Sequence, residues 1–319
     1  MKQYLFLVVT LFNSLLSYTQ HSCKTIVSTI EKDLIPEGIA VDKRTGLIYV
    51  SSIVHHKIVV LDTNGKHRDF INTGQDGYLE GLGMKIDEQH QWIWALSNAW
   101  GKTNTSQLHA FELSTGKLKK HFILRDTAQH GFNDLVLDET GKIYITDTYF
   151  GAVYEADPAT EKLKLFLKDP LIATPNGIAF GKNHLLYIAT YSNGLIGFDT
   201  NKKKLFKLTG YKDSAMIYNL DGLVYGNNSL VGVYNADSTN KNNAIVQYVL
   251  DPSGTTIIEE KIIDQGNPLF HEPTTLALAN RRIYVLANSH LEAFNKNKQS
   301  ATGIDDQLTP PAIIVYPEP

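Results

Sequence analysis

Along this chain short apolar runs alternate with turn-forming clusters, and one run with its flanking polar letters recurs six times. The copies are Pro36-Glu37-Gly38-Ile39-Ala40-Val41, Gly81-Leu82-Gly83-Met84-Lys85-Ile86, Phe132-Asn133-Asp134-Leu135-Val136-Leu137, Pro175-Asn176-Gly177-Ile178-Ala179-Phe180, Leu220-Asp221-Gly222-Leu223-Val224-Tyr225 and Pro273-Thr274-Thr275-Leu276-Ala277-Leu278. They start 43 to 53 residues apart. Each is followed by a turn, as at Asp42-Lys43-Arg44-Thr45-Gly46, and then by a β-branched or aromatic run such as Leu47-Ile48-Tyr49-Val50 or Ile143-Tyr144-Ile145. A third strand and, in several copies, a fourth complete the unit, with Asp62-Thr63-Asn64-Gly65 and Asp157-Pro158-Ala159-Thr160 closing hairpins. A repeat of this length built from four short strands predicts an all-β, six-bladed β-propeller. No stretch after the N-terminus has a helical period. Lys24-Thr25-Ile26-Val27 and Ala312-Ile313-Ile314-Val315-Tyr316 belong to no copy. Both are expected to pair with the last blade and close the ring, which leaves no open edge.

The repeat also predicts a site. First strands line the axis of a propeller, so equivalent positions form a ring around it. One column of the repeat reads Glu37, Leu82, Asn133, Asn176, Asp221, Thr274. Taken singly, Asn and Asp are ordinary loop residues. In one register of a repeat, Glu37, Asn133, Asn176 and Asp221 form an oxygen-only donor set that suits a divalent cation. Calcium fits best and magnesium less well; zinc more often takes His or Cys. The turns after the second strands emerge at the same mouth and carry Trp100, Tyr149, Phe150, Tyr191 and Tyr234, expected as an aromatic wall around a small-molecule substrate.

Composition narrows the rest. The 319 residues suffice for one large closed β domain, expected over 20–319. A net charge of −3 and a lone Lys202-Lys203-Lys204 run give no nucleic-acid surface. Residues 1–19 read as a secretory signal peptide: Lys2, an apolar run from Tyr4 to Leu16, then Ser17 and Thr19 before Gln20. The run is too short to span a bilayer comfortably. The expected location is therefore periplasmic or secreted. A single cysteine, Cys23, excludes an intramolecular disulfide, and Gln20-His21-Ser22 before it lacks the apolar residue of a bacterial lipoprotein signal. No Gly-x-Ser-x-Gly elbow, phosphate loop or His-Glu-x-x-His motif is present.

Pro36-Glu37-Gly38, Asn133-Asp134, Pro175-Asn176-Gly177 and Leu220-Asp221-Gly222 together resemble the signature positions of the senescence-marker-protein/gluconolactonase family, regucalcin-like and more distantly paraoxonase-like. The resemblance implies a six-bladed propeller with a divalent metal in the channel and hydrolysis of lactones, esters or organophosphates. It implies that Glu37, Asn176 and Asp221 hold the metal, that Asn133 holds metal or substrate, and that Asp221 acts as general base. His55, His56, His130, His271 and His290 are alternative bases. Sugar lactonases of the family carry an arginine where this chain has Gly131, which argues against a sugar lactone and, with the aromatic wall, for a less polar substrate. The rival reading is a non-catalytic binding propeller in which the metal is structural.

Overall fold

The computed structural model describes residues 23–28, 30–99, 104–212, 216–236, 241–300 and 308–319. The expected signal peptide and Trp100 lie outside these residues. Six four-stranded antiparallel sheets stand around an axis, so the chain is a six-bladed β-propeller. The first strands, from blade 1 onward, are Pro36–Val41, Glu80–Asp87, Phe132–Leu137, Pro175–Phe180, Leu220–Gly226 and Leu276–Ala279. In blades 1 to 5 the strands run outward in sequence order. Blade 6 is composite: Lys24–Val27 pairs antiparallel with Ala312–Pro317 on its outer edge, with Lys24 opposite Val315 and Val27 opposite Ala312. Both orphan strands thus sit where the open-edge argument puts them.

The core is a set of layers between neighbouring sheets. Between blades 2 and 3, Trp94 and Leu108 meet Phe132, Ile145 and Tyr154; between blades 6 and 1, Tyr284 and Ile313 meet Ile39 and Val50. Such layers form because second and third strands are buried on both faces, as in Ile143–Asp147, where every residue is buried. Their sequences accordingly read as continuous apolar runs rather than alternations.

Towards the axis the blades are joined by hydrogen bonds from one first strand to the next. Ser51 Oγ accepts from Gly38 N and donates to Leu82 O, both at 2.8 Å. Thr146 Oγ1 accepts from Asp134 N at 3.0 Å and donates to Asn176 O at 2.6 Å. Gly222 N donates to Thr274 O at 2.8 Å, and Thr274 Oγ1 to Glu37 O at 3.3 Å. The approach is close enough that side chains are excluded. A Cβ on Gly38 would lie 2.0 Å from Leu82 O, and one on Gly177 would lie 2.5 Å from Asp221 O.

One element departs from the expectation of no helix: Leu291–Ser300 is α-helical, in the excursion between the blade 6 strands Arg282–Leu286 and Ala312–Pro317. Its anchors are Leu291 and Phe294, which pack on Ile35, Ile53 and Leu308. An apolar pair three residues apart in a polar decamer is too narrow a stripe to stand out in sequence. No helix among the described residues is long and apolar enough to cross a membrane.

Candidate functional site at one mouth of the channel

The column residues are aimed by β-bulges. In blades 1 to 5 the pairing of first and second strands shifts across the column residue, between Pro36 and Ile39, Gly81 and Met84, Phe132 and Leu135, Pro175 and Ile178, and Leu220 and Leu223. The extra residue turns the column side chain out of the ladder and towards the axis. Two residues before the column, Ile35, Thr174, Asn219 and Glu272 all have positive φ, from 45° to 61°. Non-glycine residues adopt this conformation at a cost, and such strain collects at functional sites.

The bulges surround a cavity of about 470 Å³. Glu37, Asn133, Asn176 and Asp221 all line it, with Leu82 and Thr274 completing the column. Tyr149 and Tyr191 line it as well. Phe150 and Tyr234 do not, which corrects the expected aromatic wall. Phe150 lies in the blade wall between His130, 5.0 Å away, and Lys168, whose Nζ is 3.1 Å from the ring centroid. Tyr234 packs against the core layer that includes Leu220 and Ala244. The next residue, Asn235, lines the cavity instead, because successive side chains at a strand end face opposite ways. Sequence reasoning missed Asn235 and Glu272. Glu272 lies two residues before the blade 6 column, and its only signal was its neighbour His271, which also lines the cavity.

Hydrogen bonds orient the donors. Asn176 Nδ2 donates to Tyr191 Oη at 3.0 Å, which leaves the carboxamide oxygen as the group free to serve a cation. Asn235 Nδ2 donates to Asp221 Oδ2 at 2.9 Å. Glu272 Oε2 accepts from Glu292 N at 2.7 Å, at the start of the helix that rims the cavity.

Acid dominates the wall: Glu37, Asp221, Glu272 and Glu292 line it, and none of the described lining residues is Lys or Arg. Burial, then repulsion from Asp221 and Glu272, holds the Glu37 carboxyl well above the usual carboxylate range. Burial pushes Asp221 up to about 7; Glu272 and Asp134 add to the rise, while hydrogen bonds from Asn176 and Tyr191 oppose it. The Tyr191 hydroxyl is raised well above its ordinary value by burial and then by the Asp221 and Glu37 carboxylates. Burial and neighbouring His271 lower His290 to about 4.

Two buried polar atoms in this cluster have no hydrogen-bond partner: Glu37 Oε2 and Asn235 Oδ1. Orphaned buried acceptors beside crowded carboxylates are groups that a bound cation would satisfy. The residues therefore fit a hard dication held by oxygen. Among the described residues no group of three or more His, Cys, Asp or Glu side chains is disposed to hold a metal ion. Two carboxylates with carboxamides match the oxygen-donor chemistry that suits calcium better than that of zinc.

The family model described as SMP-30/gluconolactonase/LRE-like region matches residues 35–225, more than half of the chain. The chain belongs to this family. The match spans the column from Glu37 to Asp221. No curated protein matches the sequence. Among solved structures the fold resembles a gluconolactonase from Xanthomonas campestris, 15% identical, TM-score 0.58, covering 89% of this chain and 86% of that one. It also resembles a luciferin-regenerating enzyme, 11% identical, TM-score 0.62, covering 92% and 95%. Virginiamycin B lyase from Staphylococcus aureus is 14% identical, TM-score 0.58, covering 83% and 82%. At these identities the likeness is one of fold, and a hydrolase-type name and a lyase name occur on the same architecture.

Proposed function

We propose that this family member is a metal-dependent hydrolase of lactones or esters, acting on a small molecule in the channel-mouth cavity. The observation that carries the reading is the convergence of the half-buried Glu37, whose Oε2 is buried without a partner, and the buried Asp221 with Asn133 and Asn176 on one cavity. These four residues would hold the ion, most suitably calcium. Bound there, the ion supplies Lewis-acid polarisation of a carbonyl and balances charge developing on its oxygen, worth several kcal/mol.

The chain's own groups do the remainder. Tyr191 keeps the Asn176 oxygen turned to the cavity through the 3.0 Å bond from Nδ2. Asn235 fixes one edge of the Asp221 carboxylate. Asp221 accepts a proton from the attacking water; His271, His290 and Glu272 also line the wall and are able to move one. Leu82 and Thr274 complete the ring of column residues around the cavity. An exported location suits a calcium shell of low net charge, since extracellular calcium sites work at millimolar rather than nanomolar concentration.

The test is turnover of a panel of lactones and aryl esters before and after chelation. The expected result is loss of hydrolysis with chelator, recovery with calcium, and loss in Glu37→Gln while far-UV circular dichroism is unchanged. Hydrolysis that survives both chelation and Glu37→Gln refutes the proposal. A tightly held ion with no turnover across the panel gives the non-catalytic binding propeller instead.

A further inference from the structure

The other end of the first strands surrounds a second cavity, of about 520 Å³, whose lining shares no residue with the first. Leu82 stands in the column ring, and Lys85, three residues along the same strand, stands in this one. The repeat sets the wall here too. One register reads Ala40, Lys85, Val136, Ala179, Val224, Ala277, and all six line the cavity. Five are small and apolar, and the sixth is a lysine. An ammonium set among alkyl groups is costly unless an anion or water meets it.

Charge around the cavity is sorted by side. Blades 6, 1 and 2 are neighbours, and they bring Arg281, Lys43 and Lys85 to the wall, with Glu88. The first strands of blades 3, 4 and 5, across the axis, bring only uncharged groups, among them Val136, Ile178, Phe180, Leu223 and Tyr225. The carboxylate on that side is Glu318, from the C-terminal segment, laid against blade 5: a Cβ on Gly226 would lie 2.4 Å from Glu318 Oε1.

The turns of the basic side are tied together. Arg281 sits in the hairpin turn Asn280-Arg281, where φ is 50° and 57°. Asn280 Nδ2 donates to Lys43 O at 2.8 Å, and Glu318 N donates to Arg281 O at 3.0 Å. Among the described residues, the side chains of Arg281, Lys43 and Lys85 make no hydrogen bond or ion pair. Asp134, which lines neither cavity, feels the Lys85 charge: burial raises its carboxyl, and Lys85 opposes the rise. Its oxygens already accept from Leu135 N at 2.8 Å and Ile178 N at 3.3 Å. Three cations against Glu88 on one side, facing an apolar wall on the other, suit an anion with an apolar body.

We infer that this second cavity binds a small amphipathic monocarboxylate, with its carboxylate held by Lys85 and Arg281 and its alkyl or aryl body against blades 3 to 5. The inference does not rest on the hydrolase reading, because no residue proposed to hold the ion lines this cavity.

The experiment is calorimetric titration of the full chain at pH 8 with octanoate, 1-octanol and octyltrimethylammonium, in chelator and in calcium. Octanoate is expected to bind once per chain in both conditions, at least tenfold more tightly than octanol, and the cationic probe is expected not to bind. Lys85→Met should weaken octanoate roughly tenfold and leave octanol unchanged, and Arg281→Gln should weaken octanoate about threefold. Tenfold corresponds to about 1.4 kcal/mol, near the range of a hydrogen bond to a charged group. Val136→Glu, which sets a carboxylate in the apolar wall, should abolish binding with far-UV circular dichroism unchanged. Octanol binding as tightly as octanoate overturns the inference. So does undiminished octanoate binding in Lys85→Met, which would mean that the lysine only runs along the wall to solvent. Octanoate binding that requires calcium, or that is lost in Glu37→Gln, places the carboxylate in the first cavity and also overturns it.

Discussion

Replacing Asp221 with asparagine is expected to make the metal-free protein more stable above neutral pH. The fold raises the Asp221 carboxyl from 3.8 to about 7, first by burial. Between those values the folded protein binds a proton that the unfolded chain does not. Stability from this group is therefore complete below about pH 4 and is lost as pH rises through 7. A shift of about three units amounts to roughly 4 kcal/mol at pH 8. The substituted carboxamide carries no charge, can still accept from Asn235, and escapes that penalty. At about 1.6 °C per kcal/mol for a domain of about 300 residues, metal-free Asp221→Asn should melt roughly 6 °C above metal-free wild type at pH 8. The gap should shrink steadily toward pH 4. Saturating calcium should reverse the order, because only wild type then gains binding free energy. The assay is thermal unfolding by circular dichroism at pH 5 and pH 8, with chelator and with calcium. Equal melting of the two metal-free proteins at pH 8, or a gap of the same size at pH 5, refutes the reasoning.

Three further changes probe the scaffold. Gly177→Ala drives a Cβ to within 2.5 Å of Asp221 O and Leu223 N, so Asn176 and Asp221 must separate; the calcium-induced rise in Tm should fall more than the metal-free Tm, and the opposite ranking counts against a shared ion. Thr146→Val strips the hydroxyl that joins Asp134 N to Asn176 O, and urea unfolding should show a loss of roughly 1–3 kcal/mol. His130→Ala leaves the buried Asp147 carboxylate without its 2.6 Å partner; a loss of about 3–5 kcal/mol is expected, and a loss below about 1 kcal/mol would mean that water replaces the ring.

Much of this arrangement was legible because the repeat is legible. Alignment on the apolar letters brings Glu37, Asn133, Asn176 and Asp221 into one column, and a propeller turns a column into a ring. What stayed hidden depends on single-residue geometry. Ile35, Thr174, Asn219 and Glu272 share a left-handed backbone but no side-chain chemistry, so nothing in their letters marks the kink. Asn235 and Tyr234 differ only in which way a strand end faces, and aromatic character pointed to the wrong one. Phe150 follows Tyr149 by one residue and is turned into the wall. Helix Leu291–Ser300 takes its position from two apolar anchors, below the threshold of any periodic signal.

The composite blade has a consequence for how this protein is made. Lys24 to Val27 leave the ribosome before any complete blade and must wait for Ala312 to Pro317, synthesised after the other five, before either edge is satisfied. Until then the outer edge of Arg282–Leu286 is unpaired, although the blade 6 residues that line the cavity, from His271 to Ala293, are already made. The last blade is therefore completed only by the last strand of the chain, and excising either of its two outer strands would leave an open sheet edge there.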